Sequence, residues 1–429
     1  MSKTYCGACR GERGCMDCWA VGGAVQYNGL TAFFVSEPAQ MRFQEVTDVP
    51  GACSGAFYSK ELLLAADLGT TTLAFVCSDE YGEVLASYGC ENPQRKTAAD
   101  VIGRIDAALH GQRESLTSEI REALVKGFLF VLKKSLEVIQ SRGISSDEIS
   151  VKIGIAGNTV MQHLLLDYSV AGMAKAPFTP YSTDKVVLAF SRLFSETEDN
   201  SMIPQMLTEA EVTVFPCLSA FVGGDAVAGA NAVFGNDKER MDFFIDLGTN
   251  GELILSVKGK WYCTAAAMGS AMEGGRYAYA SDLFRRIAKA LENRALDETG
   301  LLREAYFTEG YEGLLQEDVR EFQLAKGAIR AGIELLCRYA EVKPQQVERI
   351  YVAGGVGQYC KTEDLFRTGL LPWEFQGKVT MVGNSCIGGI LSCLLNGKDM
   401  IYCKGECLNL AEQPEFEALY YRFMNFGEE

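Results

Sequence analysis

The motif Asp-Leu-Gly-Thr occurs twice in the chain, each time directly after an apolar stretch. The first copy is AADLGTTTLAFV at 65–76, and the second is FIDLGTNGELIL at 244–255. Glycine lets a turning backbone bring its N–H groups close to an anion, and hydroxyl side chains add further donors. An aspartate at the end of a buried strand can bind Mg²⁺ directly or through water. Each copy therefore predicts a hairpin that binds phosphate and its metal.

Ordinary turn geometry explains a single hairpin of this kind equally well. Two copies, followed by a third glycine-rich turn AGGVG at 353–357, favour a nucleotide site in which two opposed hairpins hold a triphosphate. The third turn can lie flat against adenine or ribose, and the P-loop pattern GxxxxGK(S/T) does not occur. The predicted ligands are Asp67 and Asp246 for Mg²⁺, Gly69, Thr70, Thr71, Thr72, Gly248, Thr249, Asn250 and Gly251 for the phosphates, and Gly354, Gly355 and Gly357 for the nucleoside.

A second group with metal-binding chemistry lies near the N-terminus. Cys9, Cys15 and Cys18 have the spacing C-x5-C-x2-C, and Cys53 follows much later. Four thiolates are the ligands of an iron–sulfur cluster. Cys6 together with the first three cysteines instead gives C-x2-C-x5-C-x2-C, which suits structural zinc or a 4Fe–4S cluster. A segment that binds nothing is the remaining alternative, and a metal of some kind is favoured.

Alternating apolar and turn-forming segments predict the elements that position these residues. We expect short strands at 19–27 and 30–36, three strands between 61 and 92, and helices over 98–142. A strand at 151–158 leads into a helix, residues 192–210 form a polar surface insertion, and an apolar block of strands spans 241–267. Helices and loops follow at 281–341, then a strand and glycine-rich turn at 349–359 and a strand, turn and helix at 379–395.

Composition restricts the class of protein. The 429 residues are 48% apolar, enough for two or three domains with a sizeable core. The net charge of -16 argues against a nucleic-acid partner and against anionic membranes. No apolar run spans a membrane and no secretory signal is present, so we expect a cytoplasmic protein. Disulfides are not expected there, which predicts free thiols at Cys403 and Cys407 and small core residues at Cys77, Cys217, Cys263, Cys337, Cys386 and Cys393.

The three loops resemble the phosphate-1, phosphate-2 and adenosine motifs of the actin-like ATPases over about residues 61–395. The resemblance implies an α/β fold, the two-lobed actin/sugar-kinase/heat-shock-chaperone (ASKHA) ATPase, with a mixed five-stranded sheet in each lobe and nucleotide between the lobes. A small N-terminal Cys-rich metal-binding segment precedes it. The expected domains are a Cys-rich iron–sulfur segment at 1–60, lobe I at 61–240, lobe II at 241–400 and a C-terminal segment with a closing helix at 401–429.

Further segments resemble one branch of that superfamily, the ATP-dependent reductive activators of corrinoid proteins. The segments are NPQ (92–94), DVIGRI (100–105), AGNTVMQHLLL (156–166), APFTPY (176–181), FVGGDAVAG (221–229), DLGTNGE (246–252), VGNSCIGG (382–389) and PEFEALYYRFMNF (414–426). Residues 54–66 leave no room for the linker and middle domain of longer members, so the chain is expected to be a short variant lacking both.

This resemblance implies that the protein uses ATP to reduce Co(II) to Co(I) in a corrinoid protein. The implied cofactors are ATP, Mg²⁺ and a 2Fe–2S cluster, which the family context ranks above 4Fe–4S or Zn²⁺. The implied partners are a corrinoid protein of a methyltransferase system and an external electron donor, and a homodimer is compatible with the pattern. The cluster ligands implied are Cys9, Cys15, Cys18 and Cys53, with Cys6 as a substitute.

The resemblance also suggests roles for single residues, each with a structural alternative. Asp225 is expected near nucleotide or metal, or as a helix N-cap. Glu273 positions a water for hydrolysis or is a surface carboxylate, and with Asp67, Asp225 and Asp246 it completes the predicted catalytic set. Asn158 contacts phosphate or caps the helix after it. His163 is predicted to be a packed core histidine, and Lys326 a solvated helix lysine rather than a nucleotide ligand.

Two other functions fit the same residues. One is a nucleotide-gated protein-binding module with a structural zinc site and no redox role. The other is a small-molecule kinase on the same superfold, although the sequence indicates no substrate for it.

Overall fold

The computed structural model describes residues 22–27, 30–34, 60–141, 149–195, 203–234, 239–248, 250–269, 277, 280–396 and 405–427. The chain divides into two compact units. The first is Met1–Val233 with Ser385–Tyr402, and the second is Phe234–Asn384 with Cys403–Glu429. The lobe boundaries expected from the sequence stay a prediction.

The strands lie at β1 Gly22–Tyr27, β2 Leu30–Phe34, β3 Glu61–Leu68, β4 Thr72–Asp79, β5 Val84–Glu91, β6 Ser150–Gly157, β7 Val186–Ala189, β8 Glu211–Val214, β9 Met241–Leu247, β10 Asn250–Val257, β11 Lys260–Ala267, β12 Arg349–Ala353, β13 Val379–Gly383 and β14 Gly405–Cys407. The α-helices lie at α1 Val101–Ala107, α2 Arg113–Ser141, α3 Thr159–Leu165, α4 Phe190–Leu193, α5 Gln205–Thr208, α6 Gly224–Phe234, α7 Ala280–Glu292, α8 Gln316–Tyr339, α9 Gly354–Tyr359, α10 Thr362–Arg367, α11 Ser385–Asn396 and α12 Phe416–Met424. A π-helical segment at Ala108–Gln112 joins α1 to α2.

The first unit contains a six-stranded sheet with the order β5-β4-β3-β6-β8-β7. Strands β3, β4 and β5 form an antiparallel meander, and β6 and β8 continue the sheet parallel to β3. The strand β7 adds an antiparallel edge beside β8. Strands β1 and β2 form a separate antiparallel pair, where two short strands were expected.

The second unit repeats this arrangement. Its sheet has the order β13-β12-β9-β10-β11-β14, with an antiparallel meander of β9, β10 and β11 and parallel β12 and β13 beside β9. Five strands therefore share one order and one set of directions in both units. The expectation of five-stranded sheets was wrong by one strand in each, because β7 extends the first sheet beside β8 whereas β14 extends the second beside β11.

The core of the first unit explains why β3 is apolar on both faces. Residues Leu62–Ala66 are fully buried, and helix α2 packs with β3 and β4 in one apolar cluster through Phe128 and Leu124. Helix α11 covers the other face, where Ile390 packs with Leu63. A sheet covered on both faces needs a continuous apolar run rather than an alternating one.

The second core is built in the same way from β9, β10, α7 and α8. Phe243, Ile245 and Leu253 from the strands join Phe284 and Phe322 from the helices in one cluster. The rings of Phe284 and Phe322 meet edge to face at 4.9 Å between centroids. No helix among the described residues has the combination of length and apolar character that crossing a bilayer requires.

Three local expectations are corrected. The described parts of 192–210 are not a polar insertion, because they hold α5 and bury Leu193, Phe194 and Leu207. The turn expected at AGGVG is the start of helix α9. Cys407 is not a free thiol: it forms a disulfide with Cys263, its register partner across β11 and β14.

The scattered cysteines fall mainly where they were expected. The residues Cys77, Cys217, Cys337 and Cys386 are buried as small apolar side chains. Cys403 lies outside the described residues.

Candidate nucleotide site

The first Asp-Leu-Gly-Thr hairpin joins β3 to β4. Asp67 is the penultimate residue of β3 and pairs in register with Ala156 of the parallel strand β6. The Thr70 side chain is buried, and its Oγ1 accepts a hydrogen bond of 2.7 Å from Asn158 Nδ2. The end of β6 therefore contacts the loop directly.

Asn158 performs the capping role that was one of its two expected functions. Its Oδ1 accepts a hydrogen bond of 3.0 Å from the N–H of Met161, so the side chain caps α3. Because the amide nitrogen of the same side chain donates to Thr70, the cap also fixes the phosphate loop against the N-terminus of a helix. A direct contact of Asn158 with phosphate stays a prediction.

Asp225 lies in the first turn of α6, close to Asp67. Burial and, secondly, the nearby Asp67 carboxylate together raise the pKa of Asp225 to about 7. Two carboxylates that repel each other in a poorly solvated place are an arrangement that a divalent cation would neutralise. The donor set therefore fits Mg²⁺, and a simple N-cap role does not account for the carboxylate pair.

Glycine is required beside this pair. A Cβ at Gly223 would overlap the Cα of Asn158 and lie 2.7 Å from Asp225 Oδ1. The glycine thus lets the 219–224 turn approach both residues closely, and it keeps backbone rather than side chain around the carboxylates.

Gln162 was not singled out from the sequence, although it holds three segments together. Its Oε1 accepts hydrogen bonds from the N–H groups of Gly157 at 3.3 Å and Gly224 at 3.0 Å, and its Nε2 donates to Phe215 O at 2.6 Å. The side chain is buried. Gln162 therefore fixes the start of α6, and with it Asp225, relative to the end of β6.

The second hairpin joins β9 to β10 in the second unit. Asp246 is again the penultimate residue of its strand, and the turn is closed by a hydrogen bond of 3.2 Å from Gly248 N to Asn250 O. Glu252 stands directly opposite Asp246 across the antiparallel pair and is buried. Register partners project on the same face, so two carboxyl groups are brought together here as well.

The AGGVG segment lies against this second hairpin. Gly354 has a φ of +74°, and a Cβ at this position would lie 2.5 Å from Leu247 O and 2.6 Å from Asp246 Oδ1. Only glycine permits that approach. Ala353 pairs in register with Asp246, as Ala156 does with Asp67, so AGG at 353–355 corresponds to AGN at 156–158. The internal repeat thus extends beyond the two hairpins to a strand and turn in each unit, which the sequence alone did not indicate.

Two of the predicted nucleotide-binding glycines have packing roles. A Cβ at Gly251 would meet Ile329 and lie 2.9 Å from Met268 Sδ, whereas one at Gly357 would meet the backbone of Val352. Gly355 is partly exposed beside Gly354.

Several predicted residues cannot be placed. These are Thr249, Glu273, Cys6, Cys9, Cys15, Cys18 and Cys53, all outside the described residues. Within the described ranges, no group of three or more His, Cys, Asp or Glu side chains could hold a metal ion. Metal held by the aspartates would therefore take its remaining ligands from phosphate oxygens and water, the usual arrangement for Mg²⁺.

Two further expectations concern residues outside the loops. His163 is buried, as predicted, with its Nδ1 2.7 Å from Thr159 O. Lys326 is not a solvated lysine: it is fully buried, and its Nζ donates to Phe423 O at 2.6 Å and Asn425 O at 2.5 Å. Both acceptors are carbonyls at the C-terminal end of α12, so Lys326 anchors that helix.

The repeated sheet order, with an Asp-Leu-Gly-Thr hairpin after the central strand of each sheet, defines an α/β protein of the ASKHA ATPase fold. Two family models match the chain: the RACo middle region at residues 62–234, and the C-terminal domain of RACo, the ASKHA domain, at residues 240–282 and 288–429. The chain belongs to the RACo family, the ATP-dependent reductive activators of corrinoid proteins.

Individual relatives agree with this assignment. The chain is 27% identical over 434 residues to the corrinoid activation enzyme RamQ of Eubacterium limosum, covering 85% of this chain and 70% of that protein. A solved structure of a reductive activator for corrinoid, iron–sulfur protein superposes with a TM-score of 0.68 at 22% identity, over 94% of this chain and 69% of that one. The second similarity supports the fold.

The family match corrects one expectation. The chain was expected to lack a middle domain, but the model of the RACo middle region matches residues 62–234. The region of the first sheet is therefore that middle region, and the first Asp-Leu-Gly-Thr hairpin lies within it.

Proposed function

We propose that this protein uses ATP to drive the reduction of Co(II) to Co(I) in a corrinoid protein of a methyltransferase system. Membership of the RACo family supports the proposal. The observation that carries it is the same Asp-Leu-Gly-Thr hairpin at the same position in both sheets, each with a second carboxylate beside its aspartate.

Each unit would contribute the residues of its own hairpin to nucleotide binding. In the first unit, Asp67 and Asp225 would hold Mg²⁺ and the Gly69–Thr72 backbone would bind phosphate oxygens. In the second unit, Asp246 would contribute a carboxylate to the metal and the Gly248–Gly251 turn would bind phosphate oxygens, and Gly354 and Gly355 would lie beside the nucleoside. Bound Mg²⁺ supplies charge neutralisation for the transferred phosphoryl group.

Asp225 is the strongest candidate for moving a proton during hydrolysis. A carboxylate whose pKa lies at about 7 can accept a proton from an attacking water near neutral pH and release it afterwards. Metal binding beside it would lower that pKa, so Asp225 is suited to one of the two roles at a time. Glu273 is proposed as a second residue that orients the water.

The proposed electron path begins in the N-terminal segment. Cys9, Cys15, Cys18 and Cys53 would hold a 2Fe–2S cluster, with Cys6 as a substitute ligand, and an external donor would reduce it. Such a cluster carries one electron at a time. ATP can assist an uphill reduction only by interacting differently with two states of the complex, so the nucleotide-bound protein must favour a state in which cobalt is easier to reduce.

The test uses the anaerobically purified full chain with a purified Co(II) corrinoid protein, a low-potential reductant and Mg-ATP. We expect the visible spectrum of Co(I) to appear only when ATP and reductant are both present, and not with a non-hydrolysable ATP analogue. No Co(I) under the complete conditions would refute the proposal.

The cluster is tested separately by iron and sulfide analysis and by the spectrum of the fresh protein. We expect Cys15→Ser to lose iron, whereas Cys393→Ser, a partly buried thiol in α11, should retain it. A colourless protein that contains zinc would favour the nucleotide-gated binding module instead.

A further inference from the structure

Three successive carbonyl groups of the first phosphate loop are held by residues outside it. Gly69 O accepts a hydrogen bond of 2.8 Å from Asn92 Nδ2, and Thr71 O accepts one of 2.9 Å from the backbone N–H of Asn92. Between them, Thr70 O accepts a hydrogen bond of 2.6 Å from Arg104 Nη2. Asn92 and Arg104, from the NPQ and DVIGRI segments, therefore bind the carbonyl side of the loop.

These carbonyl contacts also fix the directions of the N–H groups of the loop. Within each peptide unit the C=O and the following N–H point in opposite directions. Fixing the carbonyls of Gly69, Thr70 and Thr71 therefore directs the N–H groups of the next residues, Thr70 to Thr72, away from Asn92 and Arg104. Backbone N–H groups held in this way form the anion-binding side of a loop.

Arg104 is an unusual residue for this task because its guanidinium is fully buried. Its three hydrogen bonds reach neutral acceptors: Thr70 O, Ala98 O at 3.2 Å and Met161 Sδ at 2.8 Å. Burial and, secondly, the positive charge of Arg95 lower the pKa of Arg104 to about 10, and the carboxylates of Asp100 and Glu119 do not offset this effect. A buried cation without a directly bonded carboxylate is costly, and a nearby anion would stabilise it.

We propose that Arg104 is a positioning residue for the phosphates of the nucleotide, with Asn92 as its partner. Arg104 holds the Thr70 carbonyl so that the loop amides face the ligand, and its buried charge attracts the anion bound on the opposite side of that peptide. This inference rests on the proposed nucleotide site. It assigns a role to the NPQ and DVIGRI segments, for which the family resemblance implied none.

Arg330 provides a matched control in the second unit. It is also a buried arginine on a helix, it also donates to a backbone carbonyl, Gly369 O at 2.9 Å, and burial also lowers its pKa to about 10. That carbonyl belongs to neither phosphate loop. Arg330→Met therefore tests the effect of removing a buried arginine whose hydrogen-bonded carbonyl lies outside the first loop.

The experiment measures the Kd of the full chain for Mg-ATP, Mg-ADP and adenosine by calorimetry. Loss of one charged hydrogen bond predicts that Arg104→Met weakens Mg-ATP binding by roughly 10- to 100-fold. The loss should be smaller for Mg-ADP and absent for adenosine, because the charge acts on the phosphates. Arg104→Lys keeps the charge and should lie between wild type and Arg104→Met, and it serves as the test if the methionine variant does not fold.

Several outcomes would overturn the inference. The first is an Mg-ATP affinity of Arg104→Met within twofold of wild type, or of Arg104→Lys if only that variant folds. The second is an equal loss of affinity for adenosine and for Mg-ATP. The third is an equal loss of Mg-ATP affinity in Arg330→Met. Failure of the wild-type chain to bind Mg-ATP at all would refute the proposed nucleotide site itself, which separates the two conclusions.

Discussion

The chain has two histidines, of which His163 is buried. The hydrogen bonds of His163 define its tautomer. Nδ1 lies 2.7 Å from the carbonyl of Thr159, so it donates, and Nε2 accepts from the N–H of Tyr181 at 3.1 Å. A neutral imidazole satisfies both contacts, whereas an imidazolium would place a second N–H against that of Tyr181. His163 thus connects α3 to the 176–182 segment through its uncharged form.

The free energy of unfolding should therefore depend on pH through His163. Burial lowers the pKa of His163 below its ordinary value. Below about pH 6.5 the unfolded chain binds a proton that the folded chain excludes, so stability falls as the pH falls. We expect His163→Phe to be less stable than wild type by about 1–3 kcal/mol at pH 7.5, and to show a smaller loss between pH 6.5 and 5.

Denaturant unfolding at several pH values measures this effect. His110 is the control because its side chain is 74% exposed, so His110→Gln should change the free energy of unfolding at pH 7.5 by less than about 0.5 kcal/mol. An identical pH slope in wild type and His163→Phe would contradict the assignment of the neutral form.

At the scale of elements, a buried lysine of α8 holds the C-terminal end of α12. Lys326 donates to the Phe423 and Asn425 carbonyls, and its Nζ also lies 5.4 Å from the centre of the Phe426 ring. Lys326→Met would fill the same space but leave both carbonyls without their charged donor. We expect a loss of about 2–3 kcal/mol and faster hydrogen exchange in α12, with unchanged affinity for Mg-ATP.

Lys289 of α7 is a suitable comparison, since it is exposed and pairs with Glu312 at the surface. Lys289→Met should change stability by less than about 1 kcal/mol. Hydrogen exchange in α12 of Lys326→Met that matches wild type would show that the other contacts of α12 hold it in place without this lysine.

The difference between predictable and unpredictable features follows from the range of the interactions. The hairpins, the strand-to-helix segments and the burial of β3 are encoded by neighbouring residues, so apolar runs and glycines predicted them. Arg104 bonds to Thr70, 34 residues away, and Lys326 bonds to Phe423, 97 residues away. Sequence patterns assign such side chains to solvent, because the partners that make burial acceptable are known only from the fold.

The same reasoning explains the strands that were missed. Strands β7 and β8 have four residues each and β14 has three, so none of them contains enough alternation to be recognised. Strands β7 and β14 each pair with the open edge of a neighbouring strand, and the disulfide between Cys263 and Cys407 joins β14 to β11 covalently.

At the scale of the whole molecule, the Asp-Leu-Gly-Thr repeat predicts that the hairpins of both units take part in nucleotide binding. Each unit supplies an aspartate at the end of its central strand, and neither supplies three metal-binding side chains among the described residues. We therefore expect one Mg-ATP per chain and a strong loss of affinity, roughly tenfold or more, in both Asp67→Asn and Asp246→Asn.

The double variant distinguishes a shared ligand from two separate ones. If both aspartates act on one magnesium–polyphosphate, removing the second after the first should cost less than it does in wild type, so the two losses will not add. Asp106 of α1 is the control because its side chain is 74% exposed. Asp106→Asn should bind Mg-ATP with the affinity of wild type. Titration calorimetry measures the affinity for Mg-ATP and the number of nucleotides bound per chain. Additive losses of affinity, or two nucleotides per chain, would mean that each hairpin binds its own ligand. The Asp-Leu-Gly-Thr repeat would then reflect the common ancestry of the two sheets rather than one binding site.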